Sequence, residues 1–187
     1  MTVDFEAILG DRNIFMIGMM GAWKSTVGRR LATHLERPFI DLDRAIERGE
    51  RKTILELFEM LGEEGFRSLE EEYLDYLSAK PSQVISTGGG TVISKKNRKV
   101  IYYRGVSIYL EAAPITLHRR IRNVQKRPLL AKSSDRLKTL TDLYEERRKY
   151  YESLADLIIT TDDLSPTAVV NIIIEEIVNS ADEDHTD

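Results

Sequence analysis

The segment GMMGAWKST, residues 18 to 26, sets glycines, a lysine and two hydroxyl residues at the spacing of a phosphate-binding loop. The usual pattern is G-x-x-x-x-G-K-[ST], and Gly18, Lys24 and Ser25 satisfy it. In such a loop, backbone N–H groups point inward around phosphate oxygens, backed by a helix N-terminus. The lysine reaches the outer phosphates of a nucleoside triphosphate, and the serine hydroxyl holds Mg2+. Gly21, Ala22 and Thr26 complete the loop, but the glycine that should precede the lysine is replaced by Trp23. A positive φ at a tryptophan is strained, by on the order of 1–3 kcal/mol. Trp23 is therefore expected to weaken nucleotide binding without unfolding the domain. The broken pattern alone also fits a plain turn before a helix; its position between an apolar run and a helical pattern favours a phosphate site.

Two other stretches carry candidate chemistry. FIDLD, residues 39 to 43, ends on Asp41 and Asp43. Two residues apart, they share a face of a regular strand, although the strand ends there. Transfer of a phosphoryl group to an alcohol needs a carboxylate that orients the hydroxyl and accepts its proton. On residue type alone, the favoured reading is a helix N-cap for Asp43 and a solvated turn for Asp41, since aspartate commonly caps helices. Gly88, Gly89 and Gly90 follow an apolar run, leaving backbone N–H groups open to a ligand oxygen or forming a flexible turn. His34, His118 and His185 have no metal-ligand spacing, and the absence of cysteine excludes disulfides and cysteine-based zinc sites.

The elements that must position these residues alternate. NIFMIG (13–18), PFIDLD (38–43), QVIST (83–87), GVSIYL (105–110) and DLIIT (156–160) are short apolar strands. Between them lie helical patterns at 24–35, 44–79, 94–103, from Pro114 through Ile121, and at 136–154. A last helix, 165–178, has Ser165 as N-cap and Pro166 at its first position. This order predicts an α/β fold with a parallel sheet covered on both faces, and ligands beyond the carboxyl ends of the strands. The 187 residues are read as one domain with a core of about 13–179. Residues 122–134 form a mobile basic loop, and 181–187 an acidic tail. With 42% hydrophobic and 31% charged residues, the chain is globular. A net charge of −4 argues against a general nucleic-acid binder. No apolar run is long enough to span a membrane, and the N-terminus lacks a signal-peptide pattern, so a cytoplasmic enzyme is expected.

From Asn13 to Val178 the sequence resembles the shikimate kinase family. GMMGAWKST resembles its GxMGxGKST loop apart from Trp23, and FIDLD its F-x-D-x-D motif. EEGFRSLE resembles GE-x-GFR-x-x-E, STGGG the A/S-T-GGG segment, RPLL the lid signature, and RRKYY an R-x-x-x-Y helix motif. The resemblance implies a three-layer P-loop kinase fold with a five-stranded parallel sheet and a mobile lid. It implies transfer of the ATP γ-phosphate to the 3-hydroxyl of shikimate by a monomer, with ATP and Mg2+ as nucleotide and metal. Asp43 is then the base and binds the substrate hydroxyls, while Asp41 and Ser25 serve Mg2+. Arg67 and Arg147 bind the shikimate carboxylate, Phe66 packs on its ring, and Gly88, Gly89 and Gly90 line its pocket. Glu70 orients Arg67. In the basic stretch of Arg122, Lys126 and Arg127, Arg127 is the lid arginine and contacts the phosphates. Arg120 stacks on adenine, with Pro166 on its other side.

Each role has a plainer rival. Arg67–Glu70 is also a common surface ion pair, a basic loop confers solubility, Pro166 caps a helix, and Arg148 competes with Arg147. For the whole chain the rivals are a binding-only relative disabled by Trp23 and a kinase for another small acceptor, such as gluconate. On these grounds Trp23→Gly is expected to raise activity through a lower KM for ATP.

Overall fold

The computed structural model describes residues 5–124 and 127–183. Lys126 of the basic stretch, His185 and tail residues 184–187 lie outside the described residues. Five strands form one parallel sheet in the order β2-β3-β1-β4-β5: β1 (Asn13–Ile17), β2 (Phe39–Asp41), β3 (Val84–Ser86), β4 (Gly105–Glu111) and β5 (Leu157–Thr160). Central β1 is buried along its whole length, as expected of a parallel strand covered on both faces. Its register sets Met16 beside Ser86 of β3 and Ile17 beside Tyr109 of β4.

Helices flank the sheet: α1 (Phe5–Leu9), α2 (Lys24–His34), α3 (Leu42–Glu50), α4 (Ile54–Ser78), α5 (Lys95–Arg104), α6 (Pro114–Arg120), α7 (Pro128–Ala131), α8 (Arg136–Leu154) and α9 (Pro166–Glu183). A short 3-10 turn covers Thr91–Ile93. α2 packs against α9 and β3, α4 against α5, and α6 against α8. Among the described residues no helix is long and apolar enough to cross a membrane.

Three expectations change. β2 stops at Asp41, because the Asp41 carboxylate accepts the Arg44 N–H at 3.2 Å and caps α3. Asp41 and Asp43 therefore share no strand face, and the helix cap is Asp41 rather than Asp43, which lies in the first turn of α3. The helices read within 44–79 are two, α3 and α4. α4 restarts at a capping box in which Thr53 Oγ1 accepts the Glu56 N–H at 3.2 Å and Glu56 Oε2 accepts the Thr53 N–H at 2.7 Å. It then breaks at Gly62, whose φ of 69° leaves the helical region. The basic loop contains a helical turn, α7, opened by Pro128 and anchored by buried Leu130. Residues 181–183 of the acidic tail extend α9.

Candidate functional site

The carboxyl ends of β1, β2 and β3 lead directly into Gly18–Ser25, Asp41 and Gly88–Gly90. There they border a cavity of about 330 Å³ lined by Lys24, Ser25, Asp41, Asp43 and Arg127 among others. Gly21, Trp23 and Thr26 lie on the same wall. The loop turns through positive φ at Gly18 (136°), Gly21 (85°) and Trp23 (67°). At Gly18 a side chain has no room, since a Cβ would stand 2.6 Å from the Leu110 carbonyl oxygen. Ala22 is buried below the loop.

Trp23 takes the left-handed geometry that its sequence made costly. The strain, on the order of 1–3 kcal/mol, is carried by the folded loop itself and so falls on folding stability. The side chain turns sideways: the Arg120 guanidinium lies 3.4 Å from the indole centroid. Arg120 also donates to Thr161 Oγ1 at 2.9 Å, the Thr161 carbonyl at 2.6 Å and the Asp162 carbonyl at 3.3 Å. Neither Arg120 nor Pro166 lines this cavity. Pro166 starts α9, with Ser165 Oγ accepting the Ala168 N–H at 3.2 Å.

Lys24 is buried and donates to the Gly18 and Met19 carbonyls at 2.8 and 2.9 Å. Burial, then the nearby Arg127 charge, lower its pKa to about 8. Asp43 keeps 30% of its side chain exposed and meets Arg127 Nη1 at 3.7 Å. Burial of its carboxyl, then the Glu70 charge beside it, raise its pKa to about 6, against the opposing pull of Arg127.

Ser25 Oγ lies 3.2 Å from Ser86 Oγ, and the Asp41 carboxylate caps α3 while bordering the cavity. Among the described residues no group of three or more His, Cys, Asp or Glu could form a metal cage. This donor set still suits Mg2+, which keeps waters and phosphate oxygens and needs only one or two protein ligands.

A second cavity, of about 60 Å³, adjoins the first at Asp43 and Arg127. Phe66, Arg67, Gly88, Gly89, Gly90 and Arg147 line it. Arg147 is 2% exposed and donates to the Gly89 carbonyl at 3.3 Å. Tyr151, four residues on, donates its hydroxyl to the same carbonyl. Arg148 instead sits on the surface with Glu152 at 2.6 Å, so Arg147 is the residue that faces the cavity. Arg67 pairs with Glu70 at 2.8 Å, and Glu70 is 1% exposed. This is no surface ion pair: Glu70 also accepts the Thr91 hydroxyl at 2.7 Å. Phe66 packs on Phe58 with centroids 4.4 Å apart.

Among the described residues, no hydrogen-bond partner meets buried Arg67 Nε or Arg147 Nε. Two guanidinium groups with unused donors beside one small cavity call for an anionic ligand. The glycines keep that cavity open. A Cβ on Gly88 would stand 2.7 Å from Glu70 Oε1 and 2.9 Å from Asp43 Oδ1, and one on Gly90 would overlap the Arg67 guanidinium. Sequence reasoning missed Thr91, Ser86 and Phe58. Thr91, adjoining the glycines, carried the one readable signal, as a hydroxyl residue at the mouth of a ligand loop.

The arrangement is one cavity over the 18–26 loop, a second beside two arginines, and a carboxyl of raised pKa where they meet. The shikimate kinase family model matches residues 20–178. Shikimate kinase from Histophilus somni (strain 2336) is 44% identical over 168 residues, covering 90% of this chain and 96% of that protein. The Pasteurella multocida (strain Pm70) shikimate kinase is 42% identical, with the same coverage. The solved structure of shikimate kinase from Acinetobacter baumannii in complex with shikimate superposes with a TM-score of 0.90 at 34% identity, covering 95% of this chain and 98% of that one. A gluconokinase from Sinorhizobium meliloti 1021 aligns with a TM-score of 0.56 at 13% identity and shares the fold alone.

Proposed function

The chain belongs to the shikimate kinase family, and from that membership we propose that it transfers the γ-phosphate of ATP to the 3-hydroxyl of shikimate. The observation that carries the acceptor assignment is the pair Arg67 and Arg147, each with a buried, unused Nε–H beside one small cavity. A carboxylated ring compound satisfies both donors and presents its hydroxyls to Asp43. A neutral polyol leaves buried Arg147, which has no ion-pair partner among the described residues, uncompensated, and that is costly. The gluconokinase likeness supports no acceptor, and nothing in the geometry favours a binding-only protein.

In this reading the triphosphate lies over residues 18–26, with Lys24 exchanging its loop carbonyls for phosphate oxygens. Ser25 and Asp41 are the side chains that would hold Mg2+, which would supply positive charge to the triphosphate during transfer. Arg67 and Arg147 fix the shikimate carboxylate, and Phe66 forms part of the wall facing the ring. The 3-hydroxyl oxygen bonds to the γ-phosphorus while the bond from that phosphorus to the β,γ-bridging oxygen breaks. The hydroxyl proton passes to Asp43, and ADP leaves. A carboxyl with a pKa of about 6 is still ionised at neutral pH and accepts the proton more readily than an ordinary aspartate. Arg127 exchanges Asp43 for the transferring phosphoryl group as it neutralises the charge there, which leaves Asp43 more basic. A monomer fits this reading, because neither cavity needs a residue from a second copy. A soluble kinase of metabolism in the cytoplasm fits this reading.

The test is product identity. Purified protein with ATP, Mg2+ and shikimate should yield a phosphate monoester whose carbon-3 proton shows phosphorus coupling by NMR. A phosphate on another hydroxyl, or turnover with gluconate but not shikimate, would overturn the acceptor assignment.

A further inference from the structure

Among the described residues, Trp23 is the one aromatic residue lining the cavity that holds Lys24, Ser25 and Thr26. The residue is half-buried: it borders the cavity and also packs against the hydrophobic core. The ring is braced. Arg120 stacks at 3.4 Å from its centroid, and three hydrogen bonds to Thr161 and Asp162 fix that guanidinium. A bulky residue held at φ 67°, where glycine is free of strain, persists when its surroundings determine it. The same surroundings already engage Arg120 with the indole and with the Thr161–Asp162 backbone.

We propose that the Trp23 indole, backed by Arg120, is the surface on which the nucleotide base stacks, in place of the Arg120 guanidinium itself. The inference rests on the proposed ATP site and deepens it. The phosphates are held by the loop N–H groups and Lys24, and the base lies on the indole. Aromatic platforms take bases through their π-faces and are tolerant of base identity. ATP and GTP are therefore expected to bind with similar affinity. This reverses the effect expected from sequence for Trp23→Gly.

The chain has a single tryptophan, so its fluorescence reports on this residue alone. Intrinsic fluorescence of the full chain would be followed with ATP and with inorganic tripolyphosphate, which carries the phosphates without a base. ATP should shield Trp23 from acrylamide quenching, and tripolyphosphate should not. Trp23→Phe should bind ATP within about threefold of the parent, since it keeps a ring. Trp23→Gly should bind ATP on the order of tenfold more weakly, while its tripolyphosphate affinity stays the same. Two outcomes overturn the proposal: greater acrylamide access in the ATP complex, or equal or tighter ATP binding by Trp23→Gly. Either would mean that the indole competes with the base for Arg120. Failure of both ATP and tripolyphosphate to bind the parent chain would overturn the phosphate-loop reading together with this proposal, whereas phosphate binding without base shielding overturns this proposal alone.

Discussion

Asp43 and Arg127 face one another at 3.7 Å, the carboxylate from the first turn of α3 and the guanidinium from the cap of α7. Both border both cavities. The pair therefore sits where the two cavities meet, between the first turn of α3 and the segment read as a lid. Half-exposed pairs of this kind add little stability. Its value lies in setting the proton affinity of Asp43.

The pH dependence of kcat/KM follows. Transfer needs Asp43 unprotonated and Lys24 charged. Activity should rise through about pH 6, as Asp43 ionises, and fall through about pH 8, as Lys24 loses its proton. In kcat, which reports the bound complex, both limbs should lie higher, because phosphate charge favours the protonated form of each group. Steady-state kinetics across pH 5 to 9.5, in roughly half-unit steps, checks both statements. A flat acid limb would remove Asp43 as the titrating base.

Arg127→Ala should move both limbs of the kcat/KM profile upward. The Arg127 charge lowers the Asp43 and the Lys24 pKa alike, so its removal raises each. The same variant should lose about 10²–10³-fold in kcat, as expected for one lost cation at the transferring phosphoryl group.

Glu70→Gln should have the opposite effect on the acid limb. Glu70 raises the Asp43 pKa, so its neutral isostere should shift that limb below about pH 6. It should also raise the shikimate KM, because Glu70 holds Arg67 at 2.8 Å. A purely structural role for Glu70 would leave the limb unmoved.

Arg147→Lys keeps the charge but loses the planar fork that can reach both the Gly89 carbonyl and a carboxylate. The shikimate KM should rise roughly tenfold to a hundredfold, with a smaller change in the KM for ATP. Titration calorimetry with shikimate separates binding from turnover.

Much of this site was legible because its signals are local. The apolar strand runs and the glycine punctuation of 18–21 and 88–90 mark the segments that border the two cavities, and the four-residue step from Arg147 to Tyr151 singled out the buried arginine. What was not legible depends on how elements cross. Asp41 became the α3 cap because the Arg44 N–H reaches it, which ended β2 early. Thr91 matters only because α4 brings Glu70 to it from 21 residues away. The stack of Trp23 on Arg120 joins residues 97 positions apart by number and had no signature in either segment.

The central claim is that Asp43 receives the proton of a shikimate hydroxyl during phosphoryl transfer. Shikimate-dependent ADP release by the parent chain and by Asp43→Asn tests it most directly, with shikimate binding measured alongside by calorimetry. The parent should turn over. Asp43→Asn should lose on the order of 10²–10⁴-fold in kcat while still binding shikimate through Arg67 and Arg147. Turnover by Asp43→Asn within about tenfold of the parent, or no shikimate-dependent ADP release by the parent, would contradict the account.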